Sequence, residues 1–196
     1  MERTDVKELY YITPIENVLS IIQHGILSNK LSKKLPHESI AMEEIQAKRI
    51  DKQIPSARKL HDYANLYFDG HNPMLSKRRN QNNQICVVCI NTSVLDLPNV
   101  IISDRNAAAD YARFDPVKEG LAALDKDKIY ARYWTNSQNQ FDYWEQKSIK
   151  CAEILVPDRV EPKYISGAYV ANETALKAFK KLKIRLTVSI RSDMFF

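Results

Sequence analysis

Glu153 opens the run Glu153-Ile154-Leu155-Val156-Pro157, a short apolar strand with one carboxylate at its mouth. Against a core that acid would be costly; facing a cleft it can accept hydrogen bonds and protons. Arg49 lies late on a helix-like stretch, flanked by Lys48 and Lys52. A guanidinium offers a planar fork of donors that fits oxyanions. The third feature is the turn Tyr10-Tyr11-Ile12-Thr13-Pro14 between a strand and a helix. A helix starting there leaves backbone N–H groups free for a carboxamide or phosphate. Taken singly, a residue like Glu153 is more often an ion-paired strand-end acid, and one like Arg49 a surface cation.

Other reactive side chains offer less. Cys86 and Cys89 match C-x-x-C spacing, which raises redox or zinc chemistry. They fall within a strand, Ile85 to Ile90, where residues three apart face opposite sides. They read as core thiols. Cys151 shares a strand face with Glu153 but has no identifiable histidine partner to activate it. The four histidines, His24, His37, His61 and His71, lack metal-ligand spacing. No metal is expected.

The elements that must position these groups follow from pattern. Glu8 to Thr13 is an opening strand rich in aromatic and branched residues. Thr13 reads as a helix N-cap, Pro14 as the first helical residue and Glu16 as the partner in a capping box, with Gly25 as the stop. A second helix is expected over Ser39 to Ile50, capped by Ser39. His61 to Phe68 is extended, Ile85 to Ile90 is a central strand, and Asn99 to Ser103 a short one. Asp104 to Phe114 reads as helical, as does most of Pro116 to Tyr133. Thr135 to Gln146 reads as a polar loop with aromatics. A strand, an amphipathic helix over Glu173 to Leu182 and a closing strand end the chain. Strands and helices mix without regular βαβ alternation, which favours α+β.

Bulk composition limits the classes. The 196 residues suit one domain, and 44% hydrophobic with 27% charged is ordinary for a globular chain. No apolar run approaches the roughly 18 residues of a membrane span, and the start has no apolar signal core. A cytoplasmic protein is expected. The net charge of +5 leans weakly towards a polyanionic partner. Lys77, Arg78 and Arg79 make the clearest basic cluster, and the alternative use of such a cluster is a solvated loop.

With these elements laid out, the chain resembles the DarT-type DNA ADP-ribosyltransferase toxins. The resemblance runs through Tyr10 to Ser28, Ser39 to Arg49, Leu60 to Leu75, Ser103 to Phe114 and Lys150 to Val156, in order. Beyond about Pro157 it holds only in pattern. It implies the ADP-ribosyltransferase fold over residues 1–196: α+β, two packed β-sheets with a split NAD⁺-binding cleft and flanking helices. It implies transfer of ADP-ribose from NAD⁺, a co-substrate and not a resident cofactor, to a base in single-stranded DNA. Glu153 and Arg49 match the catalytic pair, and Tyr11 and Thr13 the turn that holds the nicotinamide end. The stretch Thr135 to Lys150 matches the substrate-facing loop. A macrodomain antitoxin that reverses the modification is the implied partner of a monomeric toxin.

Residue chemistry agrees with those roles. A carboxylate can hold the ribose, stabilise an oxocarbenium-like state and take the proton of an attacking base nitrogen. An arginine fork suits a pyrophosphate. Many members read Tyr-His-Ile-Thr where this chain has Tyr10-Tyr11-Ile12-Thr13; that change favours guanine slightly over thymine as acceptor. For DNA contacts the candidates are Phe141, Tyr143 and Trp144 in the polar loop, His71 and Asn72 near the cleft, and Lys77, Arg78 and Arg79. Tyr63, Tyr67, Phe68, Tyr133 and Trp134 are further aromatics for which core packing is the competing use. Asp104 and Arg105 fit the cleft or an internal helix cap equally. Competing functions are transfer to RNA or protein, NAD⁺ hydrolysis, and a non-catalytic nucleic-acid binder with salt-dependent affinity.

Overall fold

The computed structural model describes residues 1–55, 58–135 and 139–196. Its strands are β1 (Leu9–Pro14), β2 (Ile26–Leu27), β3 (Tyr63–Tyr67), β4 (Ile85–Ile90), β5 (Ile101–Ser103), β6 (Phe114–Pro116), β7 (Glu153–Pro157), β8 (Arg159–Val160), β9 (Ile165–Val170) and β10 (Val188–Ile190). The helices are α1 (Val18–His24), α2 (Asn29–Ser32), α3 (Glu43–Ile50), α4 (Pro73–Ser76), α5 (Val117–Ala123), α6 (Lys126–Ile129), α7 (Gln140–Ile149) and α8 (Glu173–Lys180). Eight strands order as β10-β9-β4-β1-β3-β7-β5-β6, and β2 pairs separately with β8. The pairing is antiparallel except for β9 and β10, which α8 connects as a parallel crossover. The α+β class expected from the mixed pattern is what the structure has.

One junction in the sheet is unlike the others. β1 pairs with β4 along its whole length, from Leu9↔Ile90 to Pro14↔Ile85. β3 pairs along its length with β7, from Tyr63↔Pro157 to Tyr67↔Glu153. Between β1 and β3 there is only Tyr10↔Tyr67. Past that pair the strands part, so the two sheets expected from sequence are two four-stranded halves joined at one rung. Parting leaves main-chain N–H and C=O groups of β1 and β3 turned towards the gap with no strand to receive them.

Burial explains why β4 is an unbroken apolar run. Cys86, Val88 and Ile90 enter the main core with α1, α8 and α5. Ile85 and Val87 enter a smaller cluster on the opposite face, with Leu75, Met194 and Phe195. Both faces are covered, so alternation disappears. Cys86 and Cys89 are free and buried.

Four local expectations are corrected. Thr13 does not cap α1: the strand continues through Pro14, and the Ile15 N–H donates to the Gln84 carbonyl at 2.8 Å, extending the tie to β4. A 3₁₀ turn, Ile15–Asn17, then leads into the helix. The second helix starts at Glu43, not Ser39; Ser39 instead receives the Ala41 N–H at 3.3 Å. Residues 104–113 form a bent loop, closed by Asp104, which accepts from Arg113 N–H at 2.9 Å and from Arg105. The supposed loop before Glu153 is α7 from Gln140 onward, capped by Asn139 accepting from the Phe141 and Asp142 N–H groups. Asn136 to Gln138 lie outside the described residues.

Gly25 ends α1 at φ +84°, and a β-carbon there would lie 2.2 Å from the Val160 carbonyl oxygen. Gly25→Ala therefore meets both a strained backbone and a main-chain clash. We expect it to lower unfolding stability by about 2 kcal/mol or more, read from urea denaturation; an unchanged midpoint would contradict this packing of α1 on β8.

Candidate active site

The parted strands form the walls of a cavity of about 790 Å³, within the usual range for small-molecule sites. Tyr11, Ile12 and Thr13 line it from β1, and Tyr63, Asn65 and Tyr67 from β3. A strap, His37 to Met42, crosses one side. Asn17 holds that strap through Glu38: its Oδ1 accepts the Glu38 N–H at 3.1 Å and its Nδ2 donates to the Glu38 carbonyl at 2.7 Å. Arg78 holds it from the other side, its Nε donating to the Ile40 carbonyl at 2.9 Å. The opposite wall is α7, with Trp144, Lys147 and Ser148.

Glu153 and Arg49 meet inside this cavity. Arg49 Nη1 donates to Glu153 Oε1 at 3.0 Å and Nη2 to Oε2 at 2.9 Å. The Ala107 N–H also donates to Oε1, at 2.9 Å. Both side chains are buried, Glu153 at 1% exposure and Arg49 at 6%. A buried carboxylate without such partners would be strongly unfavourable. Each carboxylate oxygen has room for about two hydrogen bonds. Among the described residues Oε1 has two and Oε2 one, so Oε2 is the oxygen with capacity left for a substrate. One hydrogen from each terminal nitrogen of Arg49 is committed to Glu153, which leaves three of the five guanidinium N–H donors for other acceptors.

Surrounding groups are tuned by burial. The Tyr67 phenol, opposite Glu153, is held well above its ordinary pKa by burial and by that carboxylate. The Cys151 thiol is pushed up to about 12, mainly by burial and next by Glu153, which leaves it protonated and poorly nucleophilic. His61 is lowered by burial and by the Arg49 charge; its Nε2 lies 3.1 Å from Gln46 Oε1. Lys150, wholly buried, pairs with Asp69 and donates to the Ile129 carbonyl at 2.8 Å, which pins the end of α7 to the turn after β3. Sequence reasoning missed Lys150 and Gln46; neither lies in a pattern that marks it.

The expected site residues divide. Tyr11, Thr13, Arg49 and Glu153 line one cavity, as do Lys77, Arg78, Trp144 and Lys147. Phe141 is 77% exposed and meets Trp144 edge to face at 5.9 Å. The Tyr143 ring lies under Lys147 Nζ at 5.4 Å. Arg79 is exposed on a 3₁₀ turn outside the lining. His71 and Asn72 do not line the cleft. His71 is buried, stacks on Phe196 at 4.1 Å, and its Nδ1 lies 2.8 Å from the Met194 carbonyl. Asn72 is buried and caps α4 by accepting from the Met74 and Leu75 N–H groups. His71 Nδ1 and the Asn72 side-chain amide are spent on the fold. Tyr63, Phe68 and Trp134 are buried as well.

A split sheet with an arginine–glutamate pair at its parting is the frame of an ADP-ribosyltransferase fold. Thermus sp. 2.9 DarT in complex with ADP-ribosylated ssDNA superposes on 98% of this chain and 97% of its own, with a TM-score of 0.80 at 27% identity. The same protein in complex with NAD⁺ gives 0.77 at 25% identity, over 97% and 98%. A family model described as ssDNA thymidine ADP-ribosyltransferase, DarT, matches residues 10–196. The chain belongs to the DarT family. A DNA ADP-ribosyl transferase–DNA ADP-ribosyl glycohydrolase fusion protein of Thermosipho africanus is 30% identical over 97% of this chain. The chain spans about half the length of that relative, 49%.

The pair also fixes a stability expectation. Arg49→Ala leaves Glu153 buried without its counterion and should cost about 3 kcal/mol or more in urea unfolding. The double variant Arg49→Met, Glu153→Leu should recover most of that loss. Wild-type stability in Arg49→Ala would contradict the pairing.

Proposed function

We propose that this chain transfers ADP-ribose from NAD⁺ to a base in single-stranded DNA, with Glu153 and Arg49 as the catalytic pair. The observation that carries the proposal is Glu153 Oε2, an oxygen with spare accepting capacity, held by Arg49 at the base of the cleft. Family membership supplies the reaction class, and the relatives bound to NAD⁺ and to modified DNA supply the two substrates.

The nicotinamide-bearing ribose lies against Glu153, and the turn carrying Tyr11 and Thr13 holds the nicotinamide end. The bond between the ribose anomeric carbon and the nicotinamide nitrogen breaks, and its electron pair leaves with neutral nicotinamide. The base nitrogen forms the new bond to that carbon and gives its proton to Glu153. Arg49 keeps the carboxylate aimed through two hydrogen bonds, which concentrates stabilisation where positive charge develops on the sugar. Trp144, Phe141 and Lys147 on α7, with Lys77 across the mouth, combine stacking surface and cations as single-stranded nucleic acid requires.

Thymine is the acceptor better supported. The family description names thymidine. Tyr11, the residue that favours guanine in the sequence, packs its ring against the main core, and its phenol is raised by burial. By analogy with the Thermosipho fusion, a DNA ADP-ribosyl glycohydrolase is the partner that reverses the modification, which fits a toxin held in check by its antidote.

The test uses four oligonucleotides, each lacking one base, with NAD⁺ and intact-mass detection. We expect an added ADP-ribose on every strand except the one without thymine, and its loss by about 10²-fold or more in Glu153→Gln. Adducts lost only without guanine would reverse the base assignment. Adducts undiminished in Glu153→Gln would refute the role of that residue.

A further inference from the structure

The rung that carries Glu153 holds a second polar side chain on the same face. Tyr67 in β3 stands directly opposite Glu153 in β7. Facing residues of an antiparallel pair project to one side, with β-carbons about 5 Å apart. Tyr67 is also the β3 member of the one pair that joins the two halves of the sheet. It therefore sits at the apex of the cleft, and its side chain lines the cavity with Glu153.

Its hydroxyl has work to spare. Among the described residues no hydrogen bond to it is seen, and the sealed polar atoms left without partners are on Asn29, Gln81, Asn82 and Tyr130. The Tyr67 hydroxyl is not one of these sealed atoms, and the residue lines the cavity. Burial and the neighbouring carboxylate keep the phenol protonated. The rung thus presents a neutral O–H donor beside a carboxylate acceptor whose Oε2 has capacity left.

We infer that Tyr67 selects the acceptor base, its O–H donating to the carbonyl adjacent to the N–H whose proton goes to Glu153. The inference rests on the DNA-base reading above. Thymine presents N3–H beside a carbonyl, and guanine N1–H beside one. Cytosine and adenine present the reverse, an amino group beside a bare ring nitrogen. Against those bases the phenol would meet a donor and Glu153 an acceptor, leaving buried polar groups unpaired. Sites built on hydrogen bonds reject such substrates strongly. By sequence Tyr67 is one aromatic among several for stacking or core packing; the strand register assigns it a polar task instead.

Tyr67→Phe removes one hydroxyl and keeps the ring. Wild type and variant are given NAD⁺ and an oligonucleotide with a single thymine, and adduct formation is measured by intact mass. Nicotinamide release without DNA is measured in parallel. We expect the variant to lose at least tenfold more in adduct formation than in DNA-free nicotinamide release. Equal adduct formation, or both rates falling by the same factor, would overturn the inference, since Tyr67 would then serve no base or serve NAD⁺. Wild type that releases nicotinamide but modifies no strand would overturn the DNA-base reading itself, and the inference with it.

Discussion

The buried pair of Arg49 and Glu153 is the contact on which the rest of the site depends. Removing two charges from water costs several kcal/mol each, and only close, well-aligned hydrogen bonds offset this. Here the guanidinium meets the carboxylate through two bonds, and a main-chain N–H adds a third. The pair also docks α3. That helix has eight residues, no side-chain N-cap bond, and one buried side chain, Arg49. So short a helix is marginal on its own. Its place is set by Arg49 and, one turn earlier, by Gln46, which meets Asn29 and His61. An ion pair does here what an apolar face does for α8, whose Ala175 and Phe179 are buried in the main core.

The parted sheet gives that pair something to act on. Were β1 and β3 zipped along their length, Glu153 would lie on an ordinary sheet face. Because they separate beyond Tyr10↔Tyr67, a cavity opens between two fully paired half-sheets. The walls are rigid, since β4 and β7 are buried along nearly their whole length. The covers are held by side-chain bonds from Asn17 and Arg78 to the strap. Rigid walls with polar-fastened covers suit the proposed site, in which a dinucleotide binds first and a nucleic-acid strand follows.

Much of this was legible in the chain. The apolar strands β1, β4 and β7 announce themselves, because burial writes their residue types directly. The placement of Glu153 at a strand mouth followed from one carboxylate before an apolar run. Local polar chemistry was harder. Thr13-Pro14-Ile15-Glu16 has a capping-box sequence, yet Ile15 continues the tie to β4, and long-range pairing overrides the local signal. Thr135 to Gln146 reads as a polar loop because α7, which fills its second half, buries only Ile149, beyond that stretch. His71 and Asn72 looked like cleft residues by position, but their polar atoms close the turn and the chain end. The role of Tyr67 required strand register, which pattern alone does not give.

The central claim is that Glu153 acts on the reacting sugar and base, not on the affinity for NAD⁺. Calorimetric titration of NAD⁺ into wild type and Glu153→Gln, with nicotinamide release measured on the same samples, tests it most directly. The account predicts a dissociation constant changed by only about threefold while release falls by about 10²-fold or more. A loss of affinity matching the loss of rate would contradict it, and would make Glu153 a binding residue.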